Sequence, residues 1–226
     1  ARYYLPTGAH LDVEEGDVIW AGTVLAKIHR AEQKTRDITG GLPRVAELFE
    51  ARIPKDAAIL SEVEGTVRFD GILRGNRKIS VTTDEGEVFE YSVPRAKHLN
   101  VEDGDRVLVG DALTAGVSNV HDILRILGPD ALQKYLVKEI QEIYALQGVL
   151  ISDKHIELII RQMLRKVRIV TAGDTDFVVG DRVDKVHFQK VNAIMHAEGK
   201  KVATARPILM GITKASLGTG SFISAA

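Results

Sequence analysis

The sequence has 226 residues, of which 45% are apolar and 27% are charged, and these proportions are ordinary for a soluble globular protein of one or two domains. Its formal net charge of -1 excludes a strong whole-chain attraction to nucleic acid or to a membrane, so any such contact must come from local patches. Cysteine is absent, which excludes disulfides, thiolate metal sites and cysteine nucleophiles and is consistent with a reducing cytoplasm.

The first predicted element of the chain is an internal repeat. Residues 4–26 and 92–114 align without gaps at a constant offset of 88 positions, so that Gly16-Asp17 matches Gly104-Asp105. Apolar and polar residues alternate around this Gly-Asp pair in each copy, which predicts short strands joined by tight turns. Two copies are too few for a solenoid, so we expect two half-sheets that pack into one small sandwich or barrel.

Between the two copies, apolar residues predict three further strands, at 59–67, 78–82 and 88–93. Residues that favour turns separate these strands, at Gly71, at Gly75-Asn76 and at 84–86. The β-rich half is therefore expected to run from the first copy of the repeat to the end of the second.

Beyond residue 120 the apolar spacing changes from the period of a strand to that of a helix. A short helix that begins near Ile123 is expected to end at Gly128. Pro129 suits the first turn of a helix and opens a longer helix, which Gly148 ends. The residues expected on the buried face of this longer helix are Leu132, Leu136, Ile140, Ile143 and Tyr144.

Three more elements complete the C-terminal half of the chain. Ser152 is a candidate N-cap for a helix over 153–166, which is followed by a strand at 167–170 and an amphipathic helix near 191–196. Together the elements predict an α+β fold, in which a β-rich half of sandwich-like or barrel-like repeats (barrel-sandwich hybrids) precedes a helical half. The residues expected on the buried face of the 153–166 helix are Ile156, Ile159, Ile160, Met163 and Leu164.

One segment, residues 34–52 (KTRDITGGLPRVAELFEAR), predicts a short helix with a flexible entry. Two glycines permit many backbone conformations, and Pro43 favours the first helical turn. The apolar residues Leu42, Val45 and Phe49 recur at helical spacing. A diglycine before a short helix is typical of a hinged segment. From the pattern alone, a rigid helix after a loose loop is the alternative.

This segment resembles, nearly residue for residue, the second arm of the trigger loop in the beta-prime subunit of bacterial RNA polymerase. Blocks at 51–69, 121–128, 138–166 and 211–226 resemble the same subunit in the same order, and long matches in order are far more specific than a short motif. The chain departs from the family pattern at Gly218 and Gly220, where the family usually has an alanine and an acidic residue.

The resemblance implies a C-terminal segment of the largest catalytic subunit of a nucleotidyltransferase that makes RNA on a DNA template. The missing initial Met also fits an excised segment. The implied regions are the end of a sandwich-barrel insertion in the trigger loop (1–30), the second trigger-loop arm (31–53), a jaw-like β domain beside downstream DNA (54–118) and a mostly helical C-terminal region (119–226).

The resemblance also implies what lies outside this sequence. The aspartate-rich loop that holds catalytic Mg²⁺ in the family and the catalytic first arm of the trigger loop have no counterpart here, so no catalytic residue is expected and the segment alone is not expected to be active. We expect no cofactor on this segment; Mg²⁺, and Zn²⁺ held by cysteines, are expected elsewhere in the subunit. The implied partners are the beta, alpha, omega and sigma subunits and downstream duplex DNA, with no membrane and a cytoplasmic location.

The resemblance assigns the arm and its hinge by position, with two glycines as the hinge. The arm and hinge residues are Thr39, Gly40, Gly41, Leu42, Pro43, Arg44 and Phe49.

Basic residues outside the arm are candidates for contacts with phosphate groups. One group lies on the 153–166 helix and is expected to share a side of that helix with Arg168, a second lies in the turn that follows residue 73, and the third is a single lysine that resembles a position near the downstream DNA channel. Surface ion pairs or a solvated helix face are the alternative interpretation. The candidate DNA contacts are Lys214, Arg74, Arg77, Lys78, Arg161 and Arg165.

Two other classes of function remain as alternatives. The Gly-Asp repeat also resembles biotinyl and lipoyl carrier domains, but the tripeptides that usually carry their modified lysine, Met-Lys-Met and Asp-Lys-Ala, do not occur. An autonomous DNA-binding module is the second alternative, and it would bind duplex DNA with sequence preference. The polymerase interpretation predicts weak, salt-sensitive binding without sequence preference.

Overall fold

A computed structural model describes residues 41–73 and 75–219, together with residues 10–11, 13, 20, 26–27 and 223. The chain divides into two compact units, Ala1–Ile38 and Thr39–Ala226. In the first unit, strand β1 (His10–Leu11) pairs antiparallel with strand β2 (Ala26–Lys27).

The second unit begins with helix α1 and a four-stranded antiparallel sheet in the order β5-β4-β3-β6. One face of this sheet lies over an apolar core that contains Val67, Ile79 and Val81. The bounds are α1 (Leu42–Phe49), β3 (Gly65–Leu73), β4 (Asn76–Thr82), β5 (Val88–Pro94) and β6 (Arg106–Val107).

The strands predicted at 78–82 and 88–93 are confirmed, whereas the strand predicted at 59–67 begins only at Gly65. Before it, Leu60 forms a single bridge with Ala112. The turn predicted at Gly71 is wrong, because Gly71 lies within β3. It has φ of +101° at an irregularity of the β3–β4 register, and a backbone of this kind favours glycine just as a turn does.

The internal repeat is confirmed by strand pairing that recurs at the same offset. Leu11 pairs with Ala26 in the first copy, and Leu99 pairs with Thr114 in the second, 88 positions further in each case. The rest of the first copy lies outside the described residues. The two copies fall in different compact units, and the expectation that they pack into one sandwich or barrel stays a prediction.

The C-terminal half contains five helices within the described residues and a second, three-stranded antiparallel sheet in the order β8-β7-β9. The α+β class is therefore confirmed. The bounds are α2 (Val120–Ile126), α3 (Gly128–Leu146), α4 (Asp153–Met163), β7 (Lys166–Thr171), β8 (Arg182–Asp184), α5 (Lys185–Ala197), β9 (Thr204–Pro207) and α6 (Ile212–Leu217).

The predicted helices are present, with different ends. The 153–166 helix ends at Met163, because the chain continues into β7 from Lys166. Ile159 is 37% exposed, so its predicted burial is wrong. The last predicted helix, near 191–196, is the central part of the longer α5.

A helical core joins elements that are far apart in the chain. Leu132, Leu136 and Ile140 of α3 are almost fully buried at its centre. Residues of α1, α2 and α4 pack around them, together with Ala58 and Leu60. Within the described residues no helix is long and apolar enough to cross a membrane. The four region boundaries drawn from the sequence stay predictions.

Candidate functional site

Helix α1, the predicted arm, has one buried face and one open face. Val45 and Leu48 are 5% and 2% exposed in the helical core, and α1 contacts α3. Leu42, which the sequence pattern grouped with Val45 and Phe49, is 59% exposed, while Phe49 is half-buried. Leu48, which the pattern did not single out, is the deepest contact of the helix.

The entry to α1 is only partly described, since Thr39 and Gly40 lie outside the described residues. Gly41 is the N-cap residue and makes no side-chain cap, and Pro43 lies in the first turn as expected. Arg44 forms an exposed ion pair with Glu47, with 3.3 Å between Nη1 and Oε2. The hinge at the two glycines stays a prediction.

The exit of α1 contacts two distant helices. Ala51 has φ of +50°, the left-handed conformation that normally favours glycine after a helix. His121, at the start of α2, donates from Nε2 to the Ala51 carbonyl oxygen over 2.9 Å. On α6, the hydroxyl of Thr213 donates to the carboxylate of Glu50.

The start of α6 also approaches the backbone of this exit closely. A Cβ atom on Gly211 would lie 2.6 Å from the Glu50 carbonyl oxygen, so glycine is required here by space. We call Glu50, Ala51, His121, Gly211 and Thr213 the arm junction. Because Lys214 follows Thr213 directly, the junction connects the end of the arm to the helix that carries this candidate DNA contact.

The basic residues of β4 differ from one another in their surroundings. Lys78 forms an ion pair with Glu90, with 2.8 Å between Nζ and Oε1, and this hydrogen bond raises the pKa of Lys78 above its ordinary value. Because Glu90 neutralises its charge, Lys78 is a weaker candidate for a phosphate contact than its neighbour Arg77, which has no ion pair with another described residue. It also lies within β4 rather than at the turn of the β3–β4 hairpin, which disfavours the carrier alternative. Arg74 lies outside the described residues.

Arg161 and Arg165 both line an open groove of about 1220 Å³ between α4, α5 and β9. Eight charged residues line this groove, whereas small-molecule pockets are lined predominantly by apolar and aromatic side chains. Arg165 is engaged there by Asp184, with 2.5 Å between Nε and Oδ2. The charged residues that line the groove are Lys154, Arg161, Arg165, Lys185, Lys190, Asp130, Glu157 and Asp184.

Arg168 does not lie on the same helix as Arg161, so this prediction is wrong. Helix α4 ends at Met163, and Arg168 lies in the middle of β7. The alternation of β7 leaves Arg168 exposed and buries Val167 and Ile169. Lys214 is exposed on α6 and has no ion pair within the described part of the chain.

Asp184 is a structural carboxylate of the groove. Its Oδ1 caps α5 by accepting from the Val186 N–H over 3.0 Å, and its Oδ2 binds Arg165. Burial acts to raise the pKa of Asp184, but the hydrogen bonds from Val186 and Arg165 outweigh burial and lower it below 3.8. The charged form is therefore the stabilised one.

We expect the variant Asp184→Asn to lose stability in a way that depends on pH. Asparagine can keep the Oδ1 acceptor of the cap, but it removes the charge and the Oδ2 acceptor of the Arg165 bond. Because the folded pKa is lowered, the contribution of the charge is fully present above about pH 4 and is lost as the pH falls through the folded pKa. Urea unfolding should show a deficit at pH 7 that vanishes in strong acid. Asp176→Asn, at an exposed carboxylate with no ion pair to another described residue, is the control and should show no such deficit.

Sequence reasoning missed the arm junction and two exposed arginines, Arg182 and Arg206. The junction joins residues that are 70 and 163 positions apart, and no local pattern indicates such contacts. Among the described residues no group of three or more His, Asp or Glu side chains could hold a metal ion. The cofactor prediction is not tested by that finding and stays a prediction.

The comparisons with known proteins extend over the whole chain. The family model described as RNA polymerase Rpb1, domain 5, matches residues 53–220. The chain is 55% identical to the DNA-directed RNA polymerase subunit beta' of Koribacter versatilis over 225 residues, and 56% identical to that of Thermodesulfovibrio yellowstonii over 226 residues. The subunit beta' of Syntrophobacter fumaroxidans is 52% identical over 226 residues. All of this chain is covered in each case, but it spans only 16–17% of the length of these relatives.

Proposed function

The chain belongs to the RNA polymerase Rpb1 domain 5 family, as a C-terminal segment of the bacterial beta-prime subunit, and from this premise we propose that it serves DNA-templated RNA synthesis without carrying the catalytic residues itself. Its contributions are the second trigger-loop arm at 39–49, a jaw-like β domain and a surface for subunit assembly. The observation that carries the proposal is the family match over 53–220.

The proposed partners follow from the same premise. They are the beta, alpha, omega and sigma subunits and downstream duplex DNA, in the cytoplasm. The cations Arg77, Arg161 and Lys214, which form no ion pair with a described residue, support a contact with DNA, because phosphate contacts depend on cations that are not already neutralised. Lys78 and Arg165, which are engaged by Glu90 and Asp184, are weaker candidates.

The arm junction supports a connection between the arm and the DNA contact. The Glu50–Thr213 hydrogen bond and the close approach of Gly211 fix the start of α6 against the exit of α1. This contact sets the place of the start of α6, and therefore of Lys214, relative to the exit of the arm. We infer that the position of the arm and the position of Lys214 are linked.

The test is the charge reversal Lys214→Glu in the full-length subunit assembled into polymerase. Loss of one phosphate contact should reduce the slope of log affinity against log salt by about one and shorten the lifetime of the downstream DNA complex at low salt. Lys134→Glu, at an exposed lysine of α3, is the matched control and should leave both quantities unchanged.

Two results would contradict this proposal. A Lys214→Glu complex as stable as the wild type at every salt concentration would exclude the contact. Tight binding of duplex DNA by the 226-residue chain alone, with preference for one sequence, would favour the autonomous DNA-binding module instead.

A further inference from the structure

Each strand of the C-terminal sheet contributes one arginine to a single row. In the antiparallel register Arg168 of β7 lies directly opposite Arg182 of β8 on one side and Arg206 of β9 on the other. Directly opposite residues lie on the same face of a sheet, with Cβ atoms about 4.5–5.5 Å apart. All three side chains are exposed. We call these three residues the arginine row.

The arginine row is not neutralised within the described part of the chain. None of its guanidinium groups forms an ion pair with a described carboxylate. The carboxylate nearest in register, Asp184, lies opposite Lys166 and is already bound by Arg165 and by the cap of α5. Like charges that lie directly opposite across strands are destabilising. A fold that keeps three of them side by side is suited to an anion that brings them together.

Besides the Asp184 carboxylate, the neighbouring groups on this face include hydrogen-bond donors. Thr204 lies two residues from Arg206 and therefore on the same face, and its hydroxyl is 2.6 Å from that of Thr171. On the other side of the row, Lys166 donates from Nζ to the Gly218 carbonyl oxygen over 2.7 Å. Guanidinium and hydroxyl groups are the side-chain donors that phosphate oxygens accept from, and the planar guanidinium group can bind two of these oxygens at once.

We propose that the arginine row binds successive phosphate groups of a nucleic-acid backbone. Neighbouring strands are about 4.8 Å apart, so the row spans about 10 Å and can reach more than one phosphate group of a strand. The row lies on an exposed sheet face rather than in a concave pocket, which favours an extended polyanion over a small phosphorylated molecule.

This site is separate from the candidate contacts named above. The groove of Arg161 is lined by Val167 and Ala205, which alternate with Arg168 and Arg206 and therefore face the opposite side of the sheet. The inference rests on the proposed function only for the source of the ligand, which is the DNA or RNA that a polymerase holds.

The experiment uses full-length beta-prime subunit assembled into polymerase and bound to a scaffold of duplex DNA and RNA, with each strand labelled separately. A photo-crosslinking amino acid replaces Val170, which is 40% exposed and lies two residues from Arg168. The test variant combines Arg168→Gln, Arg182→Gln and Arg206→Gln. The control combines Arg52→Gln, Lys55→Gln and Lys134→Gln, which remove the same charge from scattered exposed positions.

We expect a crosslink to one labelled nucleic-acid strand in the wild type and in the control, and its loss in the test variant. The labelled strand identifies the ligand as DNA or RNA. The slope of log affinity against log salt should fall by about one for each phosphate contact removed. Replacing the three arginines with lysine should preserve the crosslink, because the charges remain, and thermal unfolding verifies that every variant is folded.

Three results would overturn the inference. These are a crosslink to a protein subunit in place of nucleic acid, no crosslink to any partner, and a crosslink that persists in the folded test variant. If the polymerase still makes RNA and its retention of DNA still depends on Lys214, such a result excludes the arginine row as a nucleic-acid site. The proposed function is then unaffected. If Lys214→Glu also has no effect, the proposed DNA contact fails independently.

Discussion

Replacing Leu48 with alanine is expected to lower the free energy of unfolding by about 2–5 kcal/mol, because it leaves a cavity where α1 enters the helical core. Leu48 is 2% exposed in a cluster that also contains the central residues of α3. The loss should be measured by urea unfolding of the chain, with the slope of the transition compared between variants.

The same helix offers a matched control. Leu42 is 59% exposed, so Leu42→Ala should change the free energy of unfolding by no more than about 0.5 kcal/mol. Equal effects of the two substitutions would contradict the placement of Leu48 in the core. In assembled polymerase, Leu48→Ala should also change elongation or pausing more than Leu42→Ala does, since it loosens the anchored end of the arm while leaving its sequence at the hinge intact.

The anchored half of α1 limits which part of the arm can be mobile. Val45 and Leu48 belong to the same core as α2, α3 and α4. The proposed hinge at Gly40 and Gly41 therefore precedes a helix whose second half is held by the core. Motion of the arm is expected in the residues before Leu42 rather than at the exit of α1.

Helices with clear terminal signals were predictable from sequence. Pro129 lies in the first turn of α3, and Ser152 is the N-cap residue of α4, as expected. The buried face of α3 was also predictable, because Leu132, Leu136 and Ile140 recur every four residues and are almost fully buried. In these elements local chemistry and tertiary packing favour the same structure.

The end of α4 was not predictable, because its apolar spacing extends through Leu164. The chain leaves the helix after Met163 so that β7 can pair with two strands from later in the sequence. Only that pairing shows that Arg168 lies beside Arg182 and Arg206. A single stretch of sequence does not indicate which distant strands will pair with it.

The repeat illustrates the same division between local and distant information. Its sequence correctly predicted recurring local structure, and Leu99 pairs with Thr114 as Leu11 pairs with Ala26. It could not predict whether the copies share a core, because the turn and alternation signals determine only local pairing. The copies belong to separate compact units.

Replacing Gly211 with alanine is expected to disrupt the arm junction. The added Cβ would lie 2.6 Å from the carbonyl oxygen of Glu50 and 2.9 Å from its carbonyl carbon. Both are backbone atoms, so the conflict cannot be relieved by rotation of a side chain. Overpacking of this kind typically costs about 1–3 kcal/mol and moves the backbone, and here the shift would separate the start of α6 from the exit of α1.

Gly218→Ala is the control at the other end of α6. Its Cβ would lie 3.1 Å from the Lys214 carbonyl oxygen and 3.2 Å from the mobile Nζ of Lys166, so a smaller loss of stability is expected. A double-mutant cycle with Thr213→Ala tests the junction directly. If Gly211→Ala already breaks the Glu50–Thr213 hydrogen bond, adding Thr213→Ala should cause little further loss of stability. Simple additivity of the two losses, measured by urea unfolding, would show that Gly211→Ala leaves the Glu50–Thr213 hydrogen bond in place. Reduced downstream DNA retention in polymerase carrying Gly211→Ala, but not in polymerase carrying Gly218→Ala, would then connect the exit of the arm to Lys214 by function as well as by structure.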